Sequence, residues 1–91
     1  MAVRAIRGAT QLDVDEREHL LTRTAELVNA VLEANDVEPV DLISILFTVT
    51  PDLHSEFPAV AGRQMGLTDV PLMCMQEIDV PHALPRVVRM M

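Results

Sequence analysis

A run of apolar residues at helical spacing constrains the fold of this chain more than any other feature. Between residues 14 and 34 the apolar positions recur every three or four residues, which is the period of one face of an α-helix. This stripe consists of Leu20, Leu21, Thr24, Leu27, Val28, Val31 and Leu32. Asp13 and Glu16 before it have the spacing of a capping box, and Asn35 is a suitable residue for the helix end. We therefore predict a helix over residues 14–34 whose stripe faces the core.

The other apolar segments are short and are separated by proline, glycine and acidic residues. We predict strands over residues 2–9, 42–49, 70–78 and 86–91, and a second helix over residues 58–66. Pro58 suits the first turn of that helix, and Gly66 suits its end. Strand 42–49 is apolar on both faces, which is typical of a buried strand. The order of elements predicts an α/β (α+β) fold in one domain, residues 1–91, with a mixed sheet and helices on one face.

Composition limits the classes of partner. Of the 91 residues 49% are hydrophobic, which is a large share for a small domain and indicates an oligomer interface. The net charge of −7 and the two aromatic residues argue against a nucleic acid partner. The apolar runs are too short to span a membrane, so no membrane partner is expected. The single cysteine excludes an internal disulfide and fits a reducing, cytoplasmic location.

Two arginines are candidates for anion binding. Arg7 lies at the end of the first predicted strand, beside Gly8, on a face that is otherwise small and apolar. Arg89 alternates with Val88 and Met90 in the last strand, and an arginine beside apolar residues needs an anionic partner or water. The alternatives are a surface ion pair for Arg7 and an edge-strand charge that prevents aggregation for Arg89.

The strand over residues 70–78 carries a thiol and a carboxylate near its end. Cys74 lies among apolar neighbours, which favours an inert packing thiol over a nucleophile. Glu77 and Asp79 share a face, which suits acid–base chemistry but is more often simply solvated. Alternation places Cys74 and Glu77 on opposite faces of the strand. If both contact ligand, either the strand is irregular near Gln76 or each face serves a different site. The second alternative requires sites that are shared between subunits.

A metal site is not predicted. Asp52, His54 and Glu56 occupy alternate positions, but this spacing is non-specific and the flanking prolines indicate a loop. His19 and His82 are expected to be structural or solvated. The sequence also has no glycine-rich phosphate loop and no Cys-x-x-Cys motif.

Five segments in order carry a resemblance to a known family. They are residues 6–10 (IRGAT), 47–54 (FTVTPDLH), 57–59 (FPA), 70–77 (VPLMCMQE) and 86–89 (RVVR). Together they resemble the AroH-class monofunctional chorismate mutases. The resemblance implies a homotrimeric pseudo-α/β-barrel with active sites at the subunit interfaces. It also implies the pericyclic (Claisen) rearrangement of chorismate to prephenate, on the route to phenylalanine and tyrosine, without cofactor or metal.

The resemblance also implies a role for each candidate residue. Arg7 would bind a substrate carboxylate, Arg89 would face the ether oxygen, and Glu77 and Cys74 would hydrogen-bond the ring hydroxyl. The wall contributed by the neighbouring subunit would consist of Phe57, Ala59, Leu72 and Met73.

Two departures from the family pattern stand out. Val60 occupies a position at which the family usually has lysine, and the family continues with a strand and tail that carry an Arg-x-x-Tyr-Leu segment. We therefore expect that this chain lacks the C-terminal strand and tail. The alternative function is a non-catalytic, trimeric module of similar topology that binds a small anion.

Overall fold

The computed structural model describes residues 2–91, and its elements follow the predicted order. They are β1 (Gly8–Gln11), α1 (Arg17–Ala34), β2 (Ile45–Val49), α2 (Pro58–Gln64), β3 (Leu72–Gln76) and β4 (Val87–Met90). A single 3₁₀ turn, Pro39–Asp41, precedes β2.

The four strands form one mixed sheet in the order β1-β4-β2-β3. Strands β2 and β3 are parallel and are connected through α2, whereas β4 is antiparallel to both β1 and β2. Helix α1 packs on β1 and β4, and α2 packs on β3 and on α1. The prediction of a mixed sheet with helices on one face is therefore confirmed.

The core lies between the helices and one face of the sheet. Every residue of the predicted α1 stripe is buried. Four sheet residues are buried in the same cluster as this stripe: Ile45, Phe47, Val88 and Met90. Burial of this apolar surface is the main force that holds the helical layer on the sheet.

The ends of several elements differ from the predicted ones. Residues 2–7 are not part of β1, because β4 is only four residues long and pairs with residues 8–11 alone. Helix α1 begins at Arg17, and its N-cap Glu16 makes no side-chain capping bond, so the predicted capping box is wrong. Asp13 contacts His19 and Arg23 instead. The helix end at Asn35 agrees with the prediction.

Strand β2 is not equally buried on its two faces. Ile45 and Phe47, on the helix side, are 1% and 0% exposed, whereas Leu46 and Thr48 on the other side are only partly buried. The predicted burial on both faces is therefore wrong for a single chain, because both helices cover the same side of the sheet. We call the uncovered side the open face.

Two glycines have identifiable roles. A Cβ added at Gly8 would lie 2.5 Å from Val31 Cγ2 and 3.1 Å from Leu27 Cδ1, so the missing side chain allows β1 to approach α1 closely. Gly66 has φ of 91° just beyond the end of α2, a conformation that glycine adopts at little cost. The prediction that Gly66 closes α2 is thus confirmed, although the helix ends at Gln64 and not at residue 66.

Candidate active site

A row of paired residues crosses the open face. Ala9 pairs with Arg89, Arg89 with Thr48, and Thr48 with Met75, so one residue comes from each strand. Paired residues in neighbouring strands project to the same side of a sheet. Since the residues on either side of this row face the helices, the four side chains of the row face away from them.

Arg7 borders the same face. It lies two residues before Ala9, and it lines a cavity of ≈ 610 Å³ together with Thr48 and Arg89. The two arginines therefore reach one concave surface from neighbouring parts of the sheet, Arg7 from the segment before β1 and Arg89 from β4. The remaining lining is mostly apolar, including Leu46 and Met75, so an anion in this cavity would meet two cations in partly dehydrated surroundings.

Glu77 connects this row through two hydrogen bonds to one oxygen. Arg89 Nε donates to Glu77 Oε2 at 2.9 Å, and Thr48 Oγ1 donates to the same atom at 2.7 Å. The Glu77 side chain is 25% exposed and that of Arg89 is 54% exposed. The backbone N–H of Glu77 donates to the Val49 carbonyl at 2.9 Å, which fixes the carboxylate just beyond the end of β3.

Cys74 lies on the other side of β3. It pairs with Phe47, whose ring is fully buried under the helices, and the thiol itself is partly buried. Burial raises the pKa of Cys74, and a hydrogen bond from the backbone N–H of Ala59 to the sulfur offsets part of that rise. The thiol is therefore protonated near neutral pH, which suits packing or weak hydrogen-bond donation and not nucleophilic attack.

A second cavity, of ≈ 420 Å³, opens beside this thiol. Phe57, Cys74 and Gln76 are among the residues that line it, and Phe57 is 67% exposed. Aromatic side chains this exposed are suited to contact with another molecule.

The structure thus divides the predicted site residues between two places. Arg7, Glu77 and Arg89 lie on the open face, and Met73, which is 58% exposed, lies on that side of β3 as well. Cys74 and Phe57 line the second cavity, whereas Ala59 and Leu72 are partly buried against the core and line neither cavity. Within one chain the two groups do not meet, in agreement with the alternation along β3.

The loop that carries Phe57 is held by two carboxylates. Asp15 accepts hydrogen bonds from the backbone N–H groups of His54, at 3.2 Å, and Ser55, at 3.1 Å. Glu56 accepts from Arg17 Nε at 2.8 Å and from the Phe57 N–H at 2.9 Å. Phe57 therefore occupies a defined position despite its exposure.

These contacts lower the pKa of both carboxyl groups. Partial burial alone would raise the pKa of Asp15, but the hydrogen bonds from the backbone N–H groups of His54 and Ser55, together with the nearby Ser55 side chain, outweigh it and lower the pKa. The pKa of Glu56 is lowered by the Phe57 N–H and by Arg17. Both groups are therefore ionised well below neutral pH.

Two residues with contacts at these places do not follow from the sequence. Thr48 lies in the strand predicted to be buried, and nothing in that pattern indicates its contact with Glu77. Asp15 lies next to the capping-box positions, and its contacts with residues 39 and 40 positions further along the chain depend on the tertiary fold.

Asp52, His54 and Glu56 do not converge. They contact Arg86, Asp15 and Arg17, respectively. Within residues 2–91, no three His, Cys, Asp or Glu side chains cluster in a way that could hold a metal ion. Over the same range, neither helix has the length and apolar character needed to cross a membrane.

Comparison with known proteins gives a consistent result. The family model described as chorismate mutase type I matches residues 3–91. The chain is 42% identical to chorismate mutase AroH of Bacillus subtilis (strain 168) over 92 residues, covering 100% of this chain and 72% of that protein. It is 46% identical to chorismate mutase AroH of Thermus thermophilus over 90 residues, covering 98% of this chain and 74% of that protein.

A solved structure agrees with the sequence matches. The chain resembles a chorismate mutase from Clostridium thermocellum with a TM-score of 0.94 and 46% identity, over 97% of this chain and 79% of that one. The alternative of a non-catalytic anion-binding module has no support from these comparisons.

Proposed function

The chain belongs to the chorismate mutase type I family, and we propose that the open face holds the groups with which it acts on chorismate. Its activity is that of a chorismate mutase, an isomerase that converts chorismate to prephenate. The observation that carries the assignment of the site is that Arg7 and Arg89 line one cavity, with Glu77 hydrogen-bonded to Arg89.

The chemistry requires little from the protein except geometry and charge. In the rearrangement the ether C–O bond breaks while a C–C bond forms in the same molecule, so no nucleophile, electron carrier or second substrate is needed. Chorismate carries two carboxylates, and its two reacting ends must be held close together. Two cations that line one cavity suit this task, because they can fix a dianion in one orientation before the reaction.

Arg7 is proposed to bind a substrate carboxylate, and Arg89 to stabilise the ether oxygen. Negative charge develops on that oxygen as the C–O bond breaks, and a fixed guanidinium stabilises the transition state more than the ground state. The bond to Glu77 uses only the Nε–H of Arg89, and a guanidinium has four further N–H donors. Glu77 would then orient Arg89 and accept a hydrogen bond from the ring hydroxyl.

The second cavity is proposed to complete the site of a neighbouring subunit. Phe57 is exposed there beside Cys74, while Met73 and Met75 leave apolar surface on the open face and at the sheet edge. A homotrimer in which each site combines the open face of one subunit with the second cavity of the next would bring the two groups together. We propose such a trimer, acting in the cytoplasm.

The test is an assay of chorismate loss by absorbance, with prephenate identified as the product and with sedimentation analysis to determine the oligomeric state. Because the match spans 72% of the Bacillus protein, a form extended by the strand and tail that the resemblance implies should be assayed alongside. If either form is active and Arg89→Ala abolishes that activity, the proposal is supported. A folded trimer that is inactive in both forms would overturn it.

A further inference from the structure

The residue that precedes β4 has an unusual backbone conformation. Arg86 has φ of 53°, in the left-handed region that residues other than glycine, asparagine and aspartate rarely adopt. It lies three positions before Arg89 in the chain. A non-glycine residue keeps this conformation only where its surroundings determine it.

Those surroundings are a pair of side chains at the end of β2. The N–H of Arg86 donates to both carboxylate oxygens of Asp52, at 3.0 and 3.2 Å. Thr50 Oγ1 donates to Asp52 Oδ1 at 2.6 Å and accepts from the Val87 N–H at 3.0 Å. Thr50 is 5% exposed. We call Thr50 and Asp52 the β4 clamp. Asp52 accepts from the N–H of Arg86, just before β4, and Thr50 accepts from the N–H of Val87, the first residue of β4.

The opposite side of Arg86 is held by Leu12, the residue just after β1. The Leu12 N–H donates to the Arg86 carbonyl at 2.7 Å, and Arg86 Nε donates to the Leu12 carbonyl at 2.9 Å. These bonds use the carbonyl and the side chain of Arg86, so they do not replace the bond of its N–H to Asp52. The clamp and Leu12 therefore fix different atoms of the same residue.

We propose that Thr50 and Asp52 are positioning residues for Arg89. By holding Arg86 in the left-handed conformation they set the register of β4 on β2, in which Arg89 is opposite Thr48 and faces the cavity. A slip of one residue would turn Arg89 to the helix side of the sheet. This inference rests on the proposed role of Arg89 in the rearrangement.

The test uses glycine to replace the conformational effect of the clamp. Asp52→Ala should lower kcat by about 10–100-fold with a smaller change in KM, since misplacement of about 1 Å has effects of this size. Glycine adopts this φ without help from the clamp. The kcat of Asp52→Ala/Arg86→Gly should therefore be close to that of Arg86→Gly alone. Thr50→Val, which is close to isosteric, should lower kcat in the same direction.

A matched control separates positioning from general stability. Asp36, just beyond the end of α1, also has a left-handed φ, of 54°, so Asp36→Gly introduces a glycine at another left-handed position, outside the β4 clamp. Asp52→Ala/Asp36→Gly should stay as slow as Asp52→Ala, because this glycine does not act on Arg86. Equal recovery of kcat by either glycine would overturn the inference, as would an unchanged kcat in a folded Asp52→Ala protein.

A readout without substrate distinguishes failure of this inference from failure of the proposed function. Amide hydrogen exchange at Val87 and Arg89 should be faster in Asp52→Ala than in the parent chain and should slow again with Arg86→Gly. If the parent chain and its extended form are both inactive, the proposed function fails while exchange still tests the clamp. If exchange at β4 is the same in all these proteins, the clamp does not hold the strand and the inference is wrong. Should Asp52→Ala not fold, the same comparison is made with Thr50→Val.

Discussion

Arg89 and Glu77 form an ion pair across a strand that lies between them. Arg89 is in β4 and Glu77 follows β3, and β2 separates these two strands in the sheet. Thr48 of β2 donates to the same carboxylate oxygen that accepts the Arg89 bond. One oxygen thus joins three strands, and the half-exposed guanidinium is held toward the cavity without being buried.

Replacing Arg89 should affect the rate more than binding. We expect Arg89→Ala to lower kcat by about 10²–10³-fold, the usual effect of removing a donor that stabilises developing charge. Arg89→Gln should be almost as slow because it donates a hydrogen bond without a positive charge, whereas Arg89→Lys should retain more activity. Steady-state kinetics measure both parameters.

The matched control for Arg89 is Arg23→Ala. Arg23 is on α1, away from the open face, in an ion pair with Asp13 at 3.4 Å. Such surface pairs contribute little, so kcat should not change. If Arg89→Ala raised KM and left kcat intact, the assignment to the ether oxygen would be wrong.

Glu77 and Thr48 should behave as a pair. Glu77→Gln keeps an oxygen that can accept from Arg89 and Thr48, so it should lower kcat less than Glu77→Ala does. Thr48→Val removes one hydrogen bond worth about 1 kcal/mol, so we expect a loss of about fivefold. In the Glu77→Ala background Thr48→Val should have almost no further effect. If the loss of kcat in Thr48→Val/Glu77→Ala equals the product of the two single losses, Thr48 does not act through Glu77.

The helices and strands of this fold could be predicted from the sequence more fully than the contacts between them. The α1 stripe follows from helical periodicity alone, and Pro58 and Gly66 mark α2 through local backbone preferences. The pairing of Arg89 with Thr48 depends instead on strand order, because β4 inserts between β1 and β2 although it is last in the chain. Alternation separated Cys74 from Glu77 correctly, but it could not indicate that Glu77 reaches across β2.

The thiol of Cys74 should react slowly in the folded protein. Its raised pKa means that the fraction of thiolate at pH 8 is smaller in the folded chain than in the unfolded chain. Iodoacetamide should therefore modify the folded protein more slowly than protein unfolded in urea, with a rate that rises as the pH increases. The single cysteine makes the mass change unambiguous.

The functional consequence is that Cys74→Ala should be mild, with kcat reduced by less than about tenfold, since only a weak hydrogen bond is lost. Faster modification of the folded than of the unfolded protein would contradict the protonated thiol. An inactive but folded Cys74→Ala protein would contradict the supporting role.

Asp15 should stabilise the protein only where it is ionised. Its pKa is lower in the folded state, so its contribution is fully present above the pKa of the unfolded state and is lost as the pH falls through the folded-state pKa. Asp15→Ala should cost about 1.5–3 kcal/mol at pH 7, the range for hydrogen bonds to a charged group, and much less at pH 2. Urea unfolding at both pH values, at one protomer concentration, measures this difference.

The control for Asp15 is the exposed Asp69→Ala, which should change the free energy of unfolding little at either pH. A loss for Asp15→Ala that is equally large at pH 2 and pH 7 would mean that packing, and not the ionised carboxylate, holds the Phe57 loop.

Gly8 should be intolerant of even one methyl group. The added Cβ would be 2.5 Å from Val31 Cγ2, and a β-branched side chain in a helix has little rotational freedom to move away. Strand β1 and helix α1 would have to separate, so we expect Gly8→Ala to cost about 1–3 kcal/mol of unfolding free energy. Because Arg7 is the preceding residue, KM for chorismate should rise as well.

A double-mutant cycle tests whether Val31 is the cause. Removing the Val31 methyl groups makes room for the new Cβ, so Gly8→Ala should cost much less in the Val31→Ala background, with a coupling of about 0.5–3 kcal/mol. Val28 is the matched comparison: it is 0% exposed on the same helix but is not within 4 Å of the added Cβ. In the Val28→Ala background the cost of Gly8→Ala should therefore be undiminished. Equal relief by Val31→Ala and Val28→Ala would show that Gly8 is needed for general core packing and not for its direct approach to Val31.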